Sequence, residues 1–293
     1  MADLDFVTYL DAFGGTGAVA YRLKHEGNEG VMTTNNFSEN LLTYVDKFRR
    51  TLVTDTGNWV VKGFIDVYRN IYSISVDTKV VSKIIELMLF PVISQFAAEH
   101  SYRMVLSEHQ NHYPDIGFIG PAETKIALAL KSTYRTGPER VNGFTLGAFT
   151  GYFRRRKSVK NITFPYEQYD AHFILGIIYG RNEETINEGR IYTLDELQDI
   201  VSVVKDFDFL LQEKWRIASE RPGSGNTKNI GSVRDIQALI KGNGPFAAYG
   251  KEVFDDYWMN YLTEDMARSI NSDVPYRNLE EYWKWCELGG RKK

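Results

Sequence analysis

The sequence predicts an α/β chain, of the α+β kind, with a central mixed β-sheet flanked by helices. Three segments carry that expectation. From Lys125 to Tyr134, Ile126, Leu128 and Leu130 alternate with Ala127, Ala129 and Lys131, the period-two pattern of a strand whose faces differ. Phe173–Tyr179 is a short, continuous apolar run, as expected of a buried strand. Asp77 has the character of a helix N-cap, and Val80, Val81, Ile84, Ile85, Leu87 and Met88 follow it at helical spacing.

The other elements follow from the same rules. Ile116–Ile119 reads as a short apolar strand, and Pro91 is expected to kink or restart the helix that contains it. Residues 37–70 read as one or two amphipathic helices leading through an aromatic segment to Tyr72. Thr193 and Glu196 have capping-box spacing for a helix over Leu194–Val204. Lys214–Ala218 reads as a strand, and a further helix is expected from near Val233. The chain closes with helical, aromatic-rich sequence and the basic tail Arg291-Lys292-Lys293. Gly14-Gly15-Thr16-Gly17 reads as a plain turn, because no strong apolar strand precedes it.

Composition narrows the function classes. With 293 residues, 43% hydrophobic and 25% charged, the chain can bury a substantial core. Its net charge of -3 means that nucleic-acid binding needs positive charge gathered on one surface. The single cysteine, Cys286, excludes an intramolecular disulfide and a cysteine zinc site. Met1-Ala2-Asp3-Leu4-Asp5 is acidic where a secretory signal is basic. The apolar stretches Ile84–Ile93 and Phe173–Tyr179 are too short or interrupted to span a bilayer. A soluble, cytoplasmic protein without a membrane partner is therefore expected.

The chemistry centres on Pro114-Asp115 and Ala129-Leu130-Lys131. Adjacent strands would bring Asp115 and Lys131 to one end of the sheet. Phosphodiester hydrolysis needs a cation to neutralise the phosphate, a positioned water and a group that tunes that water. Mg²⁺ is a hard ion normally held by carboxylates, and a nearby lysine can orient the water. The pattern Pro-Asp … (Asp/Glu)-x-Lys supplies these parts; here thirteen residues separate Asp115 from Ala129. By spacing alone, a turn aspartate and an edge lysine are equally open. Glu86, among its apolar neighbours, reads on its own as a surface glutamate. His109, His112 and Asp115 lack evident further ligands for a zinc site. Arg154-Arg155-Arg156-Lys157 with Lys160 is the densest basic run, and we read it as a phosphate-contacting patch.

The wording around these residues is more specific than the spacing. Gln110-Asn111-His112-Tyr113-Pro114-Asp115 resembles the corresponding stretch of the EcoRV restriction endonuclease family, part of the PD-(D/E)xK nuclease superfamily. So do Asp77-Thr78-Lys79-Val80, Phe144-Thr145-Leu146-Gly147, Ala171-His172 and, most closely, Gly223-Ser224-Gly225-Asn226-Thr227 with Asn229-Ile230-Gly231-Ser232. The resemblance runs from roughly residue 70 to the C-terminus. It implies a restriction-endonuclease-like core over 71–293, carrying catalysis, DNA binding and dimerisation, with 1–70 as a helical N-terminal extension.

Carried over by residue, the resemblance makes Asp115 a metal-binding carboxylate, Lys131 the catalytic lysine and Glu86 an accessory acid at the metal. Gly223, Ser224, Gly225, Asn226, Thr227, Lys228 and Asn229 become a major-groove reading loop, with Lys228 where the family has threonine. Asn suits adenine and Thr the thymine methyl. Gln110 and Asn111 become a minor-groove loop, and Ser132, Thr133 and Lys160 further DNA contacts. The family's second essential acid falls on Ala129, which has no ligand oxygen, and Glu123 lies too far back to replace it. The implied protein is a homodimeric type II enzyme that binds double-stranded DNA. It is Mg²⁺-dependent, acts at GATATC with a blunt cut at the central TA step, and is cleavage-deficient through Ala129. Natural degeneracy and deliberate replacement both account for the alanine, and the intact surroundings favour the second. The alternatives are a naturally non-catalytic sequence-specific DNA-binding protein and a metal-dependent hydrolase of another substrate.

Overall fold

In the computed structural model, the described residues are 20–21, 34–107, 109, 112–182, 189–223 and 228–290. Thirteen strands and eight α-helices lie among them. The strands are β1 (Ala20–Tyr21), β2 (Gly63–Ile65), β3 (Ile71–Ser73), β4 (Arg103–Leu106), β5 (Ile116–Ile119), β6 (Lys125–Gly137), β7 (Arg140–Val141), β8 (Thr145–Ala148), β9 (Ala171–Arg181), β10 (Ile191–Tyr192), β11 (Val204–Glu213), β12 (Ala218–Pro222) and β13 (Asn229–Ser232). The helices are α1 (Thr34–Leu42), α2 (Val45–Leu52), α3 (Thr78–Glu99), α4 (Lys214–Ile217), α5 (Ile236–Lys241), α6 (Lys251–Asn260), α7 (Glu264–Ser269) and α8 (Leu279–Glu287).

The central sheet has the order β1-β4-β5-β6-β9-β11, with β7 on the end of β6. It is mixed, as expected: β6 and β9 are parallel and the other main neighbours antiparallel. The alternation along β6 sorts its side chains onto two cores. Ile126 and Leu128 join Phe173, Leu175 and Ile177 of β9 under α1, α2 and α3. Ala127 and Ala129 face the other way, into a cluster with Ile174, Ile178, Leu210, Phe144, Tyr113 and the aromatic residues of α6 and α8.

α3 forms for the reasons visible in the sequence. Asp77 Oδ1 accepts from the Lys79 and Val80 N–H groups, a cap worth about 1 kcal/mol. Val81, Ile85, Leu89, Ile93 and Phe96 then bury one stripe. The helix is long and apolar enough to cross a membrane, but that stripe packs in the core beside the sheet. It runs through Pro91 without the expected break. Proline removes the bond to the carbonyl four residues back. That residue, Leu87, is exposed, so water can serve the carbonyl instead.

Other expectations change. Helix in the 37–70 segment stops at Leu52, and β2 and β3 follow as a hairpin. Asp66 Oδ1 closes its turn by accepting from the Tyr68 and Asn70 N–H groups. The Thr193–Glu196 capping box is present, but only a 3-10 turn to Asp199 follows. The chain leaves the turn after Asp199, and Val204 already opens β11. Lys214–Ala218 is mainly the single helical turn α4, not a strand.

Candidate active site

Pairing of β5 with β6 puts Ile116 opposite Leu128. Ile116 faces the helix-covered core, so Asp115, one residue earlier, faces the side of Ala127, Ala129 and Lys131. There Asp115 Oδ2 accepts from the Leu130 N–H at 2.8 Å and from Lys131 Nζ at 2.9 Å. Both side chains remain about one-third exposed. The juxtaposition expected from the sequence is therefore met. Ala129 lies on the same face and is 1% exposed. Glu123 sits in the turn at the far end of the β5–β6 pair, four strand residues or roughly 13 Å away. It is therefore remote from the Asp115–Lys131 pair.

The donor set fits a metal poorly. Mg²⁺ takes near-octahedral oxygen ligands, whereas Asp115 Oδ2 already serves two protein donors. Glu86 is half-exposed on α3, and its carboxylate accepts from Lys83 Nζ at 2.7 Å. Its helix does reach β6, one turn earlier, where the Ser82 and Ser132 hydroxyls lie 2.6 Å apart. Among the described residues, no three His, Cys, Asp or Glu side chains come together as a metal-binding group.

The expected DNA contacts are placed unevenly. Gln110, Asn111 and Ser224–Thr227 lie outside the described residues. The residues that flank 224–227 are held by backbone hydrogen bonds. Gly223 N–H donates to the Asn229 carbonyl at 2.8 Å, and the Lys228 carbonyl accepts from the Phe149 N–H at 3.0 Å. A Cβ on Gly231 would stand 2.9 Å from Gly223 Cα, closer than real contacts allow. Lys228 and Lys160 are exposed. Ser132 is tied to Ser82, and Thr133 is 3% exposed, so Thr133 is not presented to a ligand. The basic run is also corrected. Arg154 donates to the Tyr261 carbonyl, and Arg156 pairs with Asp255 at 3.2 Å over the rings of Phe153 and Tyr166. Only Arg155, Lys157 and Lys160 of that run point to solvent.

Behind the Asp115 turn lies a polar cluster that the sequence reading missed. The Tyr113 hydroxyl and His172 Nδ1 are 2.8 Å apart. Lys214 is 1% exposed, and its Nζ lies 5.3–5.7 Å from the ring centres of Tyr113, Phe153 and Tyr166 without a hydrogen-bond partner. His172, Lys214, Lys251 and Asp255 line one small cavity. Burial pushes the Lys214 amine down to about 7; Asp255 opposes that shift, and Arg156 and Lys131 add to it. Burial, reinforced by the charges of Lys214, Lys251 and Arg156, holds His172 well below its ordinary value. The available signal was a lysine between Leu211 and Ile217, which is easily read as an edge residue.

Comparison with known proteins places the chain in a family. Residues 55–287 match the family of the restriction endonuclease EcoRV. The chain is 36% identical over 241 residues to the type II restriction enzyme EcoRV of Escherichia coli, covering 81% of this chain and 95% of that protein. Among solved structures, it is similar to the NlaIV restriction endonuclease, with 15% identity, coverage of 87% and 96%, and a TM-score of 0.39. The chain belongs to the EcoRV restriction endonuclease family of type II nucleases.

Proposed function

We propose that the chain is a homodimer that binds palindromic duplex DNA at GATATC, with an active site designed for Mg²⁺-dependent blunt cutting at the central TA step. Ala129 holds it at the binding stage. The observation that carries this reading is the Asp115–Lys131 pair on the same strand face as Ala129. The Lys131 amine, held by Asp115, is suited to orient an attacking water and to stabilise charge developing on the phosphate. Asp115 and Glu86 would be the remaining acids toward a metal; without a carboxylate at 129 they are an incomplete set. A flexible TA step lowers the energy of bending the duplex.

The loop Gly223–Asn229 is assigned to the major groove, Gln110 and Asn111 to the minor groove, and Lys160 to phosphate. Asn226→Ala should lose about 1–3 kcal/mol of discrimination between GATATC and a scrambled duplex. Lys160→Ala should weaken both complexes alike and reduce the salt slope by about 1. Titrations of both variants at several salt concentrations test this division. Identical behaviour of the two would contradict it.

The second copy has an apolar surface to meet. Phe64, Tyr72 and Ile191 are direct cross-strand neighbours in the small sheet β10-β3-β2. They are 51%, 41% and 55% exposed, while the opposite face buries Ile71, Tyr192 and Ile200. Val67 and Tyr68 extend the patch at the hairpin turn, and such a surface marks an interaction site. Light scattering should report about twice 33.7 kDa for the chain, and Tyr72→Asp should halve that mass without unfolding it. A strictly monomeric parent chain, with and without DNA, would overturn the two-fold reading.

A further inference from the structure

Lys214 sits where the two halves of the site meet. It opens α4, the turn that leads into β12 and so into residues 223–228. β12 pairs with β13, and β13 with β8. A Cβ built on Gly147 of β8 would stand 3.7 Å from Lys214 Nζ, so the β8 backbone passes against the amine. The amine also approaches the Tyr113 ring, whose centre is 5.3 Å away. Tyr113 is two residues before Asp115 and is fixed from several directions. Its N–H donates to the Asn161 carbonyl, its carbonyl accepts from the Thr163 N–H, and its ring stacks on Tyr152 at 5.3 Å.

Space-filling does not account for this amine. A methionine would occupy a similar length without the penalty of burying an unpaired polar group. What methionine lacks is the attraction of a cation for ring faces. We propose that Lys214 is a positioning residue, whose amine ties the β8–β13–β12 sheet to the Tyr113-Pro114-Asp115 turn and so keeps strands β12 and β13 in register with the catalytic pair. The inference rests on the DNA reading above for its consequence, and on the junction itself for its geometry.

The charges facing the amine are Asp255 and Lys251 on α6, Glu213 at the end of β11, Arg156 after β8 and Lys131 on β6. Asp255 is already paired with Arg156. The titratable rings nearby are His172, kept neutral by burial, and Tyr113, Tyr152 and Tyr166, all raised far from neutrality. Lys214 is therefore the member whose charge changes near neutral pH; burial favours the neutral amine overall, and losing the proton removes the cation's specific attraction to the ring faces.

The test compares the full chain with Lys214→Met, by hydrogen exchange and by DNA titration between pH 6 and 8. In the variant, amide exchange in 112–115 and in 229–232 should accelerate together by about threefold or more, the lower end of what a cation–π contact contributes, while α3 is unchanged. The parent's preference for GATATC over a scrambled duplex should fall as pH rises through 7, and the variant's should be flat. Faster exchange in one segment only, or in neither, would overturn the proposal, as would equal pH profiles. A parent chain that prefers neither duplex at any pH would instead sink the DNA reading, and the exchange result would still decide the role of Lys214.

Discussion

Ala129→Asp is expected to turn on Mg²⁺-dependent, blunt cutting at GATATC, at least about a thousandfold faster than the parent chain. Residue 129 shares a strand face with Lys131, and Asp115 reaches that face from β5. A carboxylate there would give the site a second acid beside Asp115 and free Lys131 for water and phosphate. A metal ion lowers the barrier by several kcal/mol of charge stabilisation, and each 1.36 kcal/mol is a factor of ten. Adding Lys131→Ala to Ala129→Asp should abolish the gain. Single-turnover digestion of a plasmid with one GATATC site measures all three proteins. If parent and Ala129→Asp cut equally fast, residue 129 is not a ligand position. A chain that cuts only after the substitution is also distinguished from a hydrolase of another substrate.

Lys214→Met should make the protein globally more stable, by on the order of 1–3 kcal/mol at neutral pH, as when a buried polar group without a partner gives way to an apolar one; the faster exchange expected at 112–115 and 229–232 is local opening and runs independently of that global gain. The sign with pH is specific. The folded amine titrates at about 7, and an unfolded lysine near 10.4. Between those values the unfolded chain binds more protons, so the parent gains stability as pH rises from about 7 to about 10. Below 7 both states are protonated and this contribution to the slope vanishes. The methionine variant should lack the alkaline gain. Urea denaturation at pH 6, 7.5 and 9 reads this directly; equal slopes in both proteins would mean that the amine is not held in its shifted state. A variant that is more stable yet reads DNA less well is the trade-off expected of a residue placed for function.

Much of the sheet was legible because period two is a strong signal where both faces are filled differently. On β6 the large residues went to one core and Ala127 and Ala129 to the other, as the alternation required. The Asp115–Lys131 contact followed from two adjacent strands. Local signals failed where tertiary demands were stronger. The capping box at Thr193 opens only a 3-10 turn to Asp199, because five residues later Val204 is claimed by β11. The arginines at 154 and 156 looked like a phosphate patch, but a turn alternates inward and outward, and Asp255 and the Tyr261 carbonyl claim them. The exposed triad Phe64, Tyr72 and Ile191 is invisible in one dimension, because its members come together only through the cross-strand register.

The central claim is that this chain still recognises its DNA site although it lacks the carboxylate for cutting. Equilibrium titration of the unmodified chain with GATATC duplex and with a scrambled duplex of the same composition, at fixed salt and with Ca²⁺, tests it most directly. Binding to GATATC should be at least about tenfold tighter, with both duplexes left uncut, since a single wrong base pair typically costs about 1–3 kcal/mol. Equal affinity for the two duplexes under every metal condition would contradict it.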